Sequence, residues 1–394
     1  MKFNDFCGEK LSALGFGTMR LPLAGDKKTI DKDAVAGMVE YAIDHGINYF
    51  DTAAPYHDGK SESVIGEILS RYPRDKFNLA TKFPGHQHMK EFKPAETFEK
   101  QLRKCRVDYF DFYLMHNMCE NSIDDYMNPK WGILDYFVEQ KRLGRIRHLG
   151  FSCHAHPDLL EEILDGPYGK YMEFCQIQLN YLDWNLQEAF KKIEMLRKRN
   201  IPVWVMEPLR GGKLARLSDA QASELKGARP DESVASWAFR WLQDIPGVTV
   251  ILSGMSSFEQ MVDNVKTFET DKPLSSAERG MLEKVAGSML DMVPCTACRY
   301  CCEGCPAGLD IPYLLSCYND LKLEITYTPL MKLEILPQER RPSSCLGCGA
   351  CSSICPQGID IPGMMSSLAE TFEKYPKWSE LCVQRNAIAE SESK

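Results

Sequence analysis

The sequence predicts an α/β protein: a (β/α)8 barrel followed by a smaller, mainly helical C-terminal domain. Three observations lead there. Over the first ~290 residues, short apolar runs alternate with amphipathic helical periods. There are about eight of each, as a closed parallel barrel of ~250 residues requires. The remaining C-terminal stretch abandons that alternation and concentrates the cysteines.

Each element has its own signal. A helix starts after Asp31, a candidate N-cap, carries Val35, Met38, Val39, Ala42 and Ile43 on one face, and stops at His45-Gly46. A short strand at 48–51 follows, then a helix through Val64, Ile65, Ile68 and Leu69. A strand at 77–82 precedes a helix that begins at Pro94 and carries Phe98, Leu102 and Cys105. Residues 109–116 are apolar with almost no alternation, the pattern of a strand buried on both faces. A helix at 131–143 and strands at 146–152, 174–179, 202–206 and 248–252 continue the series, with helices starting near Pro157, Asn185, Asp231 and Ser256. An amphipathic helix at 275–290 ends the barrel region. Parallel strands with right-handed crossovers follow from this order. The rival is an open doubly wound sheet, which usually shows G-x-G-x-x-G after its first strand. Gly15-Phe-Gly17-Thr-Met-Arg20 begins that way, but Arg20 replaces the last glycine and no helix follows until residue 31. The domain division expected is 1–290 and 291–394.

Composition narrows the class. The 394 residues are 44% hydrophobic and 26% charged, enough for a sizeable core. A net charge of −8 argues against a nucleic-acid surface. The first ten residues are polar rather than secretory, and no run of 18 apolar residues occurs, so a cytoplasmic protein without a membrane span is expected.

Nine of the sixteen cysteines fall in two runs. Cys295, Cys298, Cys301 and Cys305 are followed by Pro306, and Cys345, Cys348, Cys351 and Cys355 by Pro356. Both have the C-x2-C-x2-C-x3-C-P spacing that holds iron–sulfur clusters. The runs are offset by 345 − 295 = 50 residues, and the match continues into Gly308-Leu-Asp-Ile-Pro and Gly358-Ile-Asp-Ile-Pro, so the stretch is an internal repeat. A zinc ribbon would show two C-x-x-C pairs ~15–20 residues apart instead. Cys302 breaks the spacing and reads as a bystander. The other cysteines are scattered singly, as reduced thiols are.

In the barrel, Asp51, Lys82 and His116 end predicted strands, and Tyr56 lies five residues beyond Asp51. Carboxyl ends of barrel strands form the active face. Tyr is a poor proton donor at neutral pH unless its pKa falls, and an adjacent Lys⁺ favours the phenolate. A carboxylate would hold the lysine, and a neutral histidine would bind a carbonyl oxygen. Together the four could bind C=O and protonate the alkoxide formed as hydride arrives. Singly, each residue reads equally well as a structural ion pair or core polar group.

Gly15-Phe-Gly-Thr-Met19, Asp51-Thr-Ala-x-x-Tyr56, Ala80-Thr-Lys82, Tyr113-Leu-Met-His116, Gly144-Arg-Ile-Arg-x-Leu-Gly-Phe-Ser152 and Glu207-Pro-Leu-Arg-Gly-Gly212 resemble the aldo-keto reductase superfamily, across residues 10–270 or so. The whole chain resembles the subset with a C-terminal 4Fe-4S domain, and the cysteine stretch is similar to two-cluster bacterial ferredoxins. The resemblance implies Tyr56 as general acid/base, Lys82 and Asp51 tuning it, and His116 orienting the carbonyl. It implies NADP or NAD across the barrel mouth, with Thr18, Met19, Ser152, Gln176, Ser253, Gly254, Ser256, Gln260 and Asn264 at cofactor positions. Cys153 stands where many relatives have Asn, Met206 where an aromatic stacks on nicotinamide, and Gly254 and Gln260 where NADP-preferring relatives often carry Lys and Arg. It also implies one [4Fe-4S] cluster on Cys295, Cys298, Cys301 and Cys355, and a second on Cys345, Cys348, Cys351 and Cys305.

Two functions follow as expectations. The first is an NAD(P)-dependent oxidoreductase acting on a small carbonyl substrate, with clusters that are structural or pass electrons to a redox partner protein. The second is an iron–sulfur electron-transfer or redox-sensing protein whose barrel binds nucleotide or partner without carbonyl turnover. Hydride carries two electrons and each cluster ordinarily passes one, and no flavin signature offers to split the pair.

Overall fold

The computed structural model describes residues 1–26, 28–87, 89–120, 122–289, 293, 295, 299–323, 325–355 and 358–384. Strands β1 (Phe3–Phe6) and β2 (Glu9–Ser12) form an antiparallel hairpin. Eight more strands run in parallel: β3 (Leu14–Gly17), β4 (Tyr49–Asp51), β5 (Asn78–Phe83), β6 (Phe110–Met118), β7 (Ile146–Cys153), β8 (Phe174–Gln178), β9 (Val203–Met206) and β10 (Val248–Ser253). They close in sequence order, with β10 against β3. The barrel reading holds and the doubly wound alternative does not.

Helices return the chain between strands for the reasons the sequence supplies. Asp31 caps Lys32–Asp44 by accepting from the Ala34 N–H at 3.0 Å, and Gly46, at φ +84°, ends it. Pro94 occupies the first turn of Pro94–Cys105. The helix expected over 131–143 is Ile133–Arg142, and that expected from Ser256 is Phe258–Glu269, capped by Ser257. No strand was legible at β1, β2 or β3. These are four-residue segments, and β3 has glycine at two of its positions.

Side-chain alternation explains what the barrel contains. Tyr49, Ala80, Phe112, Phe174, Trp204 and Val250 form one buried apolar cluster with Phe6 and Leu11 of the hairpin. The hairpin therefore stops the amino-terminal mouth. Phe6 sits at centroid distances of 5.0 Å from Trp204 and 5.7 Å from Phe112. Gly150 leaves the space Phe174 fills, since a Cβ there would lie 2.6 Å from its ring.

The chain divides into two compact units: Met1–His86 with Glu91–Glu283, and Lys284–Lys394 with Gln87–Lys90. The expected division at 290/291 lies outside the described residues. In the second unit the 50-residue repeat is also structural. Arg299 and Gly349, both in the left-handed region, precede the short helices Tyr300–Glu303 and Ala350–Ser353. Gly308 and Gly358, at φ +58° and +64°, precede Ile311–Leu323 and Ile361–Lys374. Leu309, Ile311, Leu314, Leu333, Ile361 and Met365 belong to its core. A further helix, Tyr327–Glu334, lies between the two halves of the repeat. Among the described residues, no helix is long and apolar enough to cross a membrane.

Truncating the floor plug should be costly. Phe6→Ala is expected to lower stability by about 3–5 kcal/mol in denaturant titration, the range for a buried aromatic; a loss under about 1 kcal/mol would contradict the plug.

Candidate functional site

Two residues above the apolar floor, the same inward positions turn polar. Asp51 follows Tyr49, Lys82 follows Ala80, His116 follows Phe112 and Leu114, and Gln176 follows Phe174. Because the strands are parallel, all four rise to the carboxyl-terminal rim.

Lys82 is the hub. Its Nζ donates to Asp51 Oδ1 at 2.5 Å, to the Thr52 carbonyl at 2.9 Å and to Tyr56 Oη at 3.4 Å. The lysine is 1% exposed. The His116 ring stands edge-on to Tyr56, centroids 5.9 Å apart. A bulge after Met115 and a left-handed Asn117 end β6 around His116.

Burial sets the protonation states. It opposes charge on Lys82, yet Asp51 and Tyr56 outweigh it and hold the ammonium above the usual lysine range. Burial also lifts the Asp51 carboxyl, against the pull of Lys82. For Tyr56 the sequence expectation is corrected. Burial raises the phenol, and the lowering by Lys82 does not overcome it. Tyr56 is therefore a neutral phenol that keeps its proton, rather than a phenolate. His116 is pushed well down, by burial first and then by His86, Lys82 and His154. It is a neutral imidazole, and its buried Nδ1 has no hydrogen-bond partner.

A cleft opens beside these groups, with Asp51 and Tyr56 on its wall. Nine of the expected cofactor residues line it: Thr18, Met19, Gln176, Met206, Ser253, Gly254, Ser256, Gln260 and Asn264. Ser152 and Cys153 do not. Ser152 accepts from the Asn117 N–H at 2.7 Å, and Cys153 is buried in the β7–β8 pairing. The Thr18 hydroxyl is engaged by the Asp51 carbonyl and by Ser61. Asn264 donates to Ser253 at 2.9 Å, and Gln260 accepts from the Ser256 N–H at 2.8 Å. The residues present fit a dinucleotide: the buried Gln176 Oε1 has no partner and belongs to a residue on the cleft wall.

In the second unit, Cys305 from the first run meets Cys345, Cys348 and Cys351 from the second around one small pocket. Leu309, Ile311, Ile361 and Met365 complete its apolar wall. Four thiols in an apolar pocket fit a soft, positively charged metal group and leave a water cluster with few partners. For the other expected set, Cys298 lies outside the described residues. Cys301 adjoins Cys295 and Cys302, and its thiol is pushed up to about 12 by burial and then by Cys302. Cys355 packs against the same core.

Residues 13–286 match the Aldo/keto reductase family, and residues 294–359 match a 4Fe-4S dicluster domain. The chain belongs to the aldo/keto reductase family. It is an aldo-keto reductase-like oxidoreductase with a 4Fe-4S domain at its C-terminal end. Among curated relatives, methylglyoxal reductase YeaE of Escherichia coli is 27% identical over 304 residues, 74% of this chain and 99% of that protein. The NADH-specific methylglyoxal reductase of the same organism is 24% identical over 326 residues, 71% and 96% of the two chains. Among solved structures, aldo-keto reductase AKR11C1 from Bacillus halodurans (holo form) superposes with a TM-score of 0.58 at 25% identity, covering 72% of this chain and 96% of that one.

Sequence reasoning missed two features. His86 is 6% exposed and packs on His116 with ring centroids 4.4 Å apart. Its position four residues after Lys82 was the available signal. Arg20 and Glu207, from opposite sides of the cleft, pair at 3.1 Å. Arg20 was visible only as a missing glycine. His88 lies outside the described residues.

His116 should stay neutral below the ordinary histidine pKa of ~6.5. The unfolded chain then takes up a proton that the folded one refuses, so this group's stability contribution is present above about pH 6.5 and is lost as pH falls below it. NMR of isotope-labelled histidine should show one imidazole that does not titrate near 6.5 and is lost in His116→Gln. Ordinary titration of that signal would contradict the burial argument.

Proposed function

We propose that the chain is an NAD(P)-dependent reductase of small aldehydes or ketones that carries two [4Fe-4S] clusters. The observation that carries the reading is the hydrogen-bond hub at Lys82, which joins Asp51 to Tyr56 on the wall of the cleft. The methylglyoxal reductases among its relatives support a small carbonyl substrate.

The bound nicotinamide would supply hydride. Gln176, Ser253 and the residues around Gly254 and Ser256 would hold the dinucleotide. The substrate oxygen would lie between Tyr56 and His116. Neutral His116 would orient it by hydrogen bond, and Tyr56 would give its proton to the oxygen as negative charge develops. Lys82 would stabilise the phenolate left behind, and Asp51 would keep the ammonium charged and in place.

Cys305, Cys345, Cys348 and Cys351 would hold one cluster, and Cys295, Cys298, Cys301 and Cys355 the other. Iron–sulfur clusters supply one-electron transfer. The crossed assignment is supported by the shared cavity of Cys305 with the second run.

Tyr56→Phe tests the reductase. In anaerobically purified protein, NAD(P)H-linked reduction of methylglyoxal and other small carbonyls should fall about 10²- to 10⁴-fold with cluster absorbance unchanged. Equal rates in the variant would contradict the assignment. Absence of any carbonyl turnover in the parent protein, with rapid cluster reduction by a partner, would favour the electron-transfer reading instead. Cys305→Ala tests the cluster pairing. Iron should drop from about eight to about four per chain, and loss of all iron or none would contradict it.

A further inference from the structure

At the opposite end of the barrel from the cleft, a cysteine, a histidine and a carboxylate converge. Cys7 Sγ, a ring nitrogen of His148 and a Glu173 oxygen all lie within 4.8 Å of one another. They come from three separate places: the β1–β2 turn, the start of β7 and the residue before β8. We propose that they form a divalent-cation site of the zinc class, independent of the reductase and cluster centres, that pins the floor hairpin to the barrel.

The donor set is right for zinc, which takes thiolate, imidazole and carboxylate together in a tetrahedron. So is the spacing. His148 Nδ1 lies 3.2 Å from Glu173 Oε1. Two ligands about 2.0–2.1 Å from one tetrahedral zinc stand ~3.3 Å apart. Glu173 is positioned through its other oxygen, Oε2, which accepts from Lys141 and from the Leu149 N–H. Its Oε1 is turned toward the histidine.

The next shell is also present. A metal-bound histidine ordinarily gives its second N–H to a carboxylate. His148 Nε2 faces Glu9 Oε1 at 3.6 Å. The ring is fixed between Phe112, stacked at 5.0 Å, and Phe6, edge-on at 4.8 Å. Both nitrogens are thereby aimed at carboxylates.

Cys7 supplies the independent indication. The hairpin joins Phe6 to Glu9 through Cys7 and Gly8, which have φ of +50° and +85°. A two-residue turn of that kind favours Asn, Asp or Gly at its first position. Cysteine is an uncommon residue for that left-handed position, and here it puts a thiol beside His148 and Glu173. The thiol would release one proton to solvent when the S–metal bond forms. Cys7 is exposed, so the fourth position is left to water.

The test uses cluster-loaded, anaerobic protein equilibrated with Zn²⁺ alone. Bound zinc should be one per chain, and zinc-edge X-ray absorption should show one sulfur at about 2.3 Å with N/O near 2.0 Å. Cys7→Gly suits the turn better than cysteine, so it keeps the fold; it should abolish the sulfur signal and weaken binding at least about tenfold. Glu9→Gln should weaken binding about 10- to 100-fold without removing the sulfur. Cys302→Ser should change nothing. Equal zinc in the parent and Cys7→Gly proteins, or zinc bound by several sulfurs, would overturn the proposal.

Discussion

A lysine ammonium buried in a barrel is the constraint on which the upper half of this molecule depends. Taking an ion from water costs several kcal/mol, and only close partners offset it. Lys82 has three: a carboxylate, a backbone carbonyl and a phenol. Removing Asp51 alone would leave a buried charge without its counter-ion, the situation that costs about 3–5 kcal/mol in other buried pairs. The same arrangement supports the proposed reaction roles. A charge that must be compensated at Asp51 is already oriented toward the place where Tyr56 would lose its proton.

That hub is possible because the barrel separates its tasks by height. Parallel strands of period two place apolar rings at the floor and polar groups one inward position higher. The floor is completed by a hairpin whose Phe6 enters the ring cluster. The rim is left for chemistry. His116 and Tyr56 are both neutral there, one lowered and one raised by the same desolvation. A neutral donor and a neutral orienting imidazole suit a carbonyl oxygen better than a permanent charge would, since they respond as charge develops.

Much of this was legible in the residues, and the exceptions have physical causes. Seven strands of the barrel were visible because buried parallel strands read as continuous apolar runs. β3 was not, because two glycines erase both alternation and apolarity. The polar ends of strands marked Asp51, Lys82 and His116, but the sign of the Tyr56 shift could not be read. It depends on how completely the phenol is buried, which no spacing reports. The burial of His86 and the turning of the Ser152 hydroxyl to Asn117 are likewise matters of loop packing. In the C-terminal unit the cysteine repeat was plain, and its 50-residue period reappears in paired left-handed residues and paired helices. The Cys7–His148–Glu173 convergence left no sequence signal, because its three residues are distant in the chain and only barrel closure brings them together.

The central claim is that hydride passes to a carbonyl carbon in the cleft while the proton comes from Tyr56. The most direct measurement follows the label. Nicotinamide dinucleotide deuterated at the transferring carbon is incubated anaerobically with enzyme and a small carbonyl, and the product alcohol is analysed by mass spectrometry. The account predicts one deuterium at the new carbinol carbon in each product molecule. Reduced product without deuterium, with electrons having passed through the clusters instead, would contradict it.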